Sequence, residues 1–222
     1  MNLPLSSRSS GWTAIVASAV GLLVLPPITL AYARSEAGAG TDPAWSAAAS
    51  GVLDPLISFA DADTVYSTYG KVYFLVVLGL LVGTLGLLAV RQGTTSRLEQ
   101  WGLRLSVVGL VLLLVGLATD YTLFEGTVVE NVGFAAGSLL GLLLLVVGSV
   151  LAGVAWLRRP GTPRWGAWLA LAAVPGIVLL GLLGFGNLPS MPIAWFCIVW
   201  LALGGFLAGQ GSRATTGSPS RP

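Results

Sequence analysis

Along most of this chain apolar residues neither alternate with polar ones nor recur on one helical face; they run on uninterrupted. A helix needs about 20 mostly apolar residues to cross a hydrocarbon layer of ~30 Å. Six stretches come close to that length: Trp12–Ala31, Val72–Val90, Trp101–Thr119, Val132–Leu157, Trp165–Leu183 and Met191–Leu207. The second, fourth and fifth hold no charged residue, and the third holds Arg104 one turn from its start, where a long side chain can snorkel to the headgroups. The pattern predicts an all-α integral membrane protein, a bundle of six transmembrane helices spanning residues 12–207. A short amino terminus, 1–11, precedes it and a polar tail, 208–222, rich in Ser, Thr, Gly and Pro, reads as disordered.

The polar residues between the stretches set the orientation. Arg8, Arg91, Arg97, Arg104, Arg158, Arg159, Arg164, Arg213 and Arg221 fall on one side of a six-span arrangement, and only Arg34 and Lys71 on the other. Glu36, Asp42, Asp54, Asp61, Asp63, Asp120, Glu125 and Glu130 lie opposite the arginines, leaving Glu99 alone among them. The excess of basic residues predicts that both termini are cytoplasmic, in the cell membrane. The first stretch has a second reading: Arg8, an apolar run to Leu25 and then Ala31-Tyr32-Ala33 resemble a cleavable secretory signal, with Pro26-Pro27 breaking the helix ahead of the cut. Cleavage would leave five spans. The run is long for a signal, which favours a retained helix.

The longest connection, 33–71, is extracytoplasmic in this arrangement. Asp42-Pro43 and Asp54-Pro55 look like helix N-caps followed by proline at the first helical position, so one or two short interfacial helices are expected between Trp45 and Phe59. Asp63 or Thr64 could cap a helix running into the second span, and Tyr66, Tyr69 and Tyr73 recur along it at the outer interface. Gly184 to Pro189 marks a tight turn between the last two spans. Spans two–three and four–five look weakly alike, each with a Trp-Gly step after an arginine-bearing turn (Trp101-Gly102, Trp165-Gly166), a likeness that any two apolar hairpins would show.

Composition agrees with the pattern and removes chemistries. Of 222 residues 55% are hydrophobic and 9% charged, against about 25% charged in soluble domains; mean hydropathy is +0.86. With no histidine, His-ligated haem, His-containing zinc sites and Ser-His-Asp triads are excluded. The single cysteine, Cys197, sits among Trp195, Phe196, Ile198 and Val199 and reads as a small buried hydrophobe. A net charge of +2 with no basic cluster on a soluble domain is no nucleic-acid footprint.

Thirty glycines are the chief internal feature. Lipid gives helices no hydrophobic reason to pair, so close approach over small residues takes that role. Gly79 and Gly83 form one GxxxG; Gly133, Gly137 and Gly141 form two in series; Gly102, Gly109 and Gly116 recur every seven residues. These are the expected packing seams of the second, third and fourth spans, within the chain or against a membrane-protein partner or second copy. Pro175 should bend the fifth span by leaving the Leu171 carbonyl without a donor. Asp120 with Glu125 and Glu130 could face an outer vestibule, although solvated interfacial acids explain them as well. Asp61 and Asp63 form a D-x-D that lacks a calcium-loop pattern and is explained by capping.

No catalytic, cofactor or metal residues emerge. Hydroxyls within the spans (Thr13, Ser18, Thr29, Thr84, Ser106, Ser138, Ser149) have no base to activate them. The expectation is a non-enzymatic accessory or scaffold component, the alternative a small permease or channel for a neutral or apolar solute. A water-filled cavity lined by Thr84, Ser106 or Ser138 would favour the permease, a dry glycine-packed bundle the scaffold. For the topology, Cys197→Ser is the background: Ser46→Cys and Thr127→Cys should label from outside intact cells, whereas Gly93→Cys and Gly161→Cys should not. Outside labelling at Gly161→Cys would refute six spans.

Overall fold

The computed structural model describes residues 7–36, 38–91, 95–123, 132–158, 164–185 and 190–216. Among them there are helices and no strands. We number them α1 (Ser7–Arg34), α2 (Ser46–Ile57), α3 (Ala62–Arg91), α4 (Arg97–Ala118), α5 (Leu140–Leu157), α6 (Arg164–Leu171), α7 (Ala173–Leu182) and α8 (Ser190–Thr216). One π-helical turn, Thr119–Leu123, extends α4, and another, Phe134–Leu139, leads into α5. Five helices are long and apolar enough to cross a membrane, and α6 with α7 supplies a sixth crossing if that bent pair counts as one.

The bundle has a buried apolar core and an apolar outer surface as well. Large aliphatic side chains face outward, Leu23 being 76% exposed, Leu75 62% and Leu143 58%. Small residues face inward. Along α1, Gly11 lies against the Gly204 carbonyl and Ala208 backbone of α8, and Gly21 lies against Cys197 and Val76. On its other flank α1 meets α3 antiparallel, with Gly79 on Ala17, Gly83 on Ala14 and Gly86 on Ser10. The α4–α5 seam is also antiparallel: Gly102 meets Gly148 and Ala152, Gly109 meets Gly141 and Leu145, and Gly116 meets Gly137 and Ser138. A Cβ on any of these last three glycines of α4 would lie within 3 Å of the partner's atoms, so no larger residue fits without separating the helices. Gly133 sits against Thr119 at the end of the same seam. Neighbour to neighbour, α1, α3, α4, α5, the α6–α7 pair and α8 close into a ring.

α1 runs unbroken through Pro26 and Pro27, without the break that the secretory-signal alternative placed there. Side chains add bonds on either side of the proline pair: the Tyr73 hydroxyl of α3 donates to the Gly21 carbonyl at 2.9 Å, and Thr29 Oγ1 donates to the Leu25 carbonyl at 2.8 Å. The fifth stretch does bend, by 63°, between Leu171 and Ala173. That is the place where Pro175, lacking an N–H, leaves the Leu171 carbonyl unserved. Gly184, at φ +88°, ends α7: its N–H donates to the Gly181 carbonyl while Phe185 N–H reaches back to Leu180, the paired bonds of a glycine C-cap.

Other local expectations are corrected. One interfacial helix forms in the long connection. Neither Asp42-Pro43 nor Asp54-Pro55 opens it: α2 starts at Ser46, Pro55 lies inside it, and Asp54 is bound to Arg34 at 2.8 Å. Leu53 and Ile57 of α2 dock on Leu30, Ala31 and Val65, a small second core across the ends of α1 and α3. The cap of α3 is Asp61 rather than Asp63 or Thr64, because its carboxylate takes both the Thr64 N–H (2.9 Å) and the Thr64 hydroxyl (2.7 Å). Those two bonds hold the Asp61 carboxyl below its ordinary range, so the cap's contribution is complete above that range and lost as pH falls through the lowered value. α8 continues to Thr216, past the point where composition suggested a disordered tail, through the good helix formers Ala208, Gln210, Arg213 and Ala214. Residues 217–222 lie outside the described residues.

Gly137 and Gly205 isolate the seam's effect. A Cβ at Gly137 would meet the Gly116 backbone at 2.6 Å, while at Gly205 nothing lies within 4 Å. Gly137→Leu should cost about 1–3 kcal/mol through overpacking and lost close contact, and Gly205→Leu close to nothing. Thermal unfolding in detergent, followed as loss of the monodisperse peak, compares them; equal stability would contradict the seam.

Candidate functional site

Antiparallel pairing gathers the start of α1, the end of α3, the start of α4, the end of α5 and the end of α8 at one end of the bundle, which bears most of the arginines. Here the structure buries an acid that sequence reasoning had left among solvated residues. Glu99 is fully buried. Its Oε1 accepts from Arg91 Nε at 2.8 Å and from Trp156 Nε1 at 3.0 Å, so one oxygen ties the ends of α3, α4 and α5 together. The local sequence explains its position. Ser96 caps α4 and its Oγ accepts the Glu99 N–H at 3.2 Å, the Ser-x-x-Glu spacing of a capping box. That spacing, with Glu99 being the lone acid on the basic side, was the signal available in the sequence.

Beneath this cluster lies a cavity of about 30 Å³ between α3, α4, α5 and α8, lined by Thr84, Ser106, Ser149, Trp156, Phe196 and Trp200 among others. The three hydroxyls are spent as donors on helix carbonyls: Thr84 on Leu80 (2.8 Å), Ser106 on Gly102 (3.0 Å) and Ser149 on Ala170 (3.3 Å). Each therefore shows the cavity only acceptor lone pairs. About one or two waters fit such a volume and can donate to those oxygens. Ser138, expected beside Thr84 and Ser106, is instead buried in the α4–α5 seam against Gly116.

The opposite end is aromatic. Tyr66 and Tyr121 join hydroxyl to hydroxyl at 2.8 Å with their rings edge-on at 5.5 Å, and Tyr32 packs on Tyr66 at 5.4 Å. The Tyr121 ring rests on Gly70, where a Cβ would collide with it. Tyr69 donates to the Leu56 carbonyl at 2.8 Å, pinning α2 to α3. Of the three residues expected at an outer vestibule, Asp120 is half-buried beside Tyr121 in the π-helical turn after α4, and Glu125 and Glu130 lie outside the described residues.

The eight glycines singled out from the sequence all face other helices of this chain: Gly79 and Gly83 face α1, while Gly102, Gly109, Gly116, Gly133, Gly137 and Gly141 line the α4–α5 seam. The α1–α8 seam of Gly11 and Gly204 was missed, because neither belongs to a GxxxG within its own span as read. Cys197 is fully buried against Gly21. Among the described residues no group of three Asp, Glu or Cys side chains is placed to hold a metal. No protein-family model, curated protein or solved structure matches the chain.

The charge cluster makes a sharp prediction. Removing one partner of a buried pair strands the other, at a cost of about 3–5 kcal/mol. Arg91→Leu, which takes the guanidinium away from the buried Glu99 carboxylate, should unfold in detergent far below the wild-type temperature. Arg97→Leu, on the exposed side of the same turn, should not. Equal melting of the two variants would mean that the pair carries no stability.

Proposed function

We infer that the chain is a non-enzymatic, multi-pass component of the cytoplasmic membrane, with six spans, both termini in the cytoplasm, and an accessory or scaffold role. The observation that carries this reading is the interior: glycine seams bring the helices together, and the cavity lined by Thr84, Ser106 and Ser149 holds about 30 Å³. A permease needs a hydrated path for its solute. The Thr84, Ser106 and Ser149 hydroxyls that might have lined one are turned to helix carbonyls.

Support for the absence of catalysis comes from the one buried acid. Among the described residues Glu99 is the buried acid, and its Oε1 is taken up by a guanidinium and an indole N–H that tie three helices together. The role of the first helix follows from its seams. Loss of α1 would uncover Gly79, Gly83 and Gly86 on α3 and Gly204 on α8, so α1 belongs to the mature protein. On the far side of α8, Gly205 and Gly209 are exposed with nothing within 4 Å, four residues apart on one face, where another membrane helix has room to approach closely.

Proteoliposome swelling tests the reading. Vesicles holding the purified full chain, tagged at its amino terminus, should take up glycerol and urea no faster than empty vesicles, and the purified protein should keep its tag. Saturable uptake that Ser106→Leu abolishes would make the protein a permease and overturn the scaffold reading. Loss of the tag would mean that α1 is removed.

A further inference from the structure

At the aromatic, acidic end three distant stretches of chain close around a half-open cavity of about 410 Å³. One wall is the last part of α1 (Thr29, Tyr32), the second is the connection from Thr41 to Ala44, and the third is the end of α7 with its cap (Leu182 to Gly184). The size falls within the range of small-molecule sites, roughly 300–1,000 Å³. Gly184 makes the closure: it holds φ +88°, and a Cβ there would stand 2.9 Å from Pro43 Cβ.

Two hydroxyl hydrogens and three backbone N–H groups of the lining are committed elsewhere. Thr29 Oγ1 donates to the Leu25 carbonyl at 2.8 Å, and Thr41 Oγ1 to the Gly38 carbonyl at 2.7 Å. A hydroxyl has one hydrogen and two lone pairs, so both show the cavity acceptors only. The backbone N–H groups of Thr41, Leu183 and Gly184 are spent on Gly38, Leu179 and Gly181, each at 3.0 Å, and Pro43 has none. Asp42 adds a carboxylate, acceptor-only when ionised. No lysine or arginine lines the cavity, and the nearby Arg34 guanidinium is engaged by Asp54. Such a lining calls for an occupant that donates.

Charge and shape narrow the occupant further. This end carries Glu36, Asp42, Asp54, Asp61, Asp63 and Asp120 against Arg34 and Lys71, a field that draws cations. A bare metal ion would want several oxygen ligands, commonly carboxylates, and Asp42 is the one carboxylate in the lining. The remaining walls are Tyr32, Pro43, Leu182 and Leu183, which suit alkyl groups. We propose that this cavity binds a small organic ammonium, with the charged nitrogen on Asp42 and its carbon substituents against Tyr32 and Leu183. The same ammonium chemistry is carried by free amines and by the headgroup of an amine-bearing phospholipid. The site does not depend on whether the bundle conducts.

Calorimetric titration of the purified full chain in a nonionic detergent tests it. The probes are choline, ethanolamine and dihexanoyl-phosphatidylethanolamine; dihexanoyl-phosphatidylglycerol, with the same chains and no ammonium, is the control. At least one ammonium probe should bind saturably and the control should not. Losing a charge-assisted contact in Asp42→Asn should weaken binding about tenfold or more, while Asp63→Asn should leave it unchanged. Ala44→Arg, which brings a competing guanidinium to the mouth of the cavity, should abolish binding without lowering the melting temperature. Binding of the soluble amines marks a free ligand, and binding of the lipid probe alone marks a headgroup; either result supports the site. Absence of binding by every ammonium probe, equal binding of the control, or unchanged binding in Asp42→Asn or Ala44→Arg would overturn it.

Discussion

Lipid chains are as apolar as leucine, so helices gain little by hiding leucines from them. What remains is contact between backbones, and backbones touch only where side chains are nearly absent. Every other property of this bundle follows from that constraint. Gly102, Gly109 and Gly116 occupy one edge of α4 and meet Gly148, Gly141 and Gly137 in turn on α5, so the two helices lie in register along their whole shared length. α1 does the same on two flanks at once, towards α3 and towards α8, which makes the first helix of the chain the one its ends are built around.

Close packing at the seams also decides what the interior can hold. With small residues at the helix seams, many Leu and Val side chains point outward, and the cavity beneath the charge cluster narrows to about 30 Å³. The hydroxyls of Thr84, Ser106 and Ser149 face carbonyls of their own or neighbouring helices, as buried polar groups do where no bulk water reaches. Polar chemistry is thereby displaced to the two ends. One end is locked by a carboxylate shared among three helices, Arg91–Glu99–Trp156. The other is held by ring packing and phenol hydrogen bonds among Tyr32, Tyr66 and Tyr121, and carries the larger of these two cavities.

The two ends differ in kind for a physical reason. Arg91 and Glu99 lie on either side of a short connection, so their charges meet before either helix leaves the interface, and burial then makes the pair costly to separate. Arg34 and Asp54 form the corresponding pair at the far end, but both side chains stay close to half exposed, and water screens them. The first pair is therefore a clamp on the fold. The second leaves α2 and the preceding connection tied mainly by Leu53, Ile57 and the tyrosines, an arrangement that keeps a cavity beside it.

Much of this was legible in the sequence because it depends on local pattern. Apolar runs of adequate length give the long helices, GxxxG and heptad glycines give the edges available for packing, and Pro175 gives a bend whose place is fixed by the one carbonyl that it leaves unserved. Partner choice was not legible, since a glycine edge is complementary to any other: nothing local says that Gly79 faces Ala17 of α1, or that Gly11 faces Gly204 from opposite ends of the chain. The same holds along α1, where the Tyr73 hydroxyl that bonds the Gly21 carbonyl arrives from fifty-two residues away on α3. Glu99 shows the limit most clearly. Its residue type and its capping position were readable, but its burial was decided by Trp156 and Arg91 arriving from two other helices. A side chain's solvent exposure belongs to the assembled bundle, whereas helix length and bend belong to the stretch of chain itself.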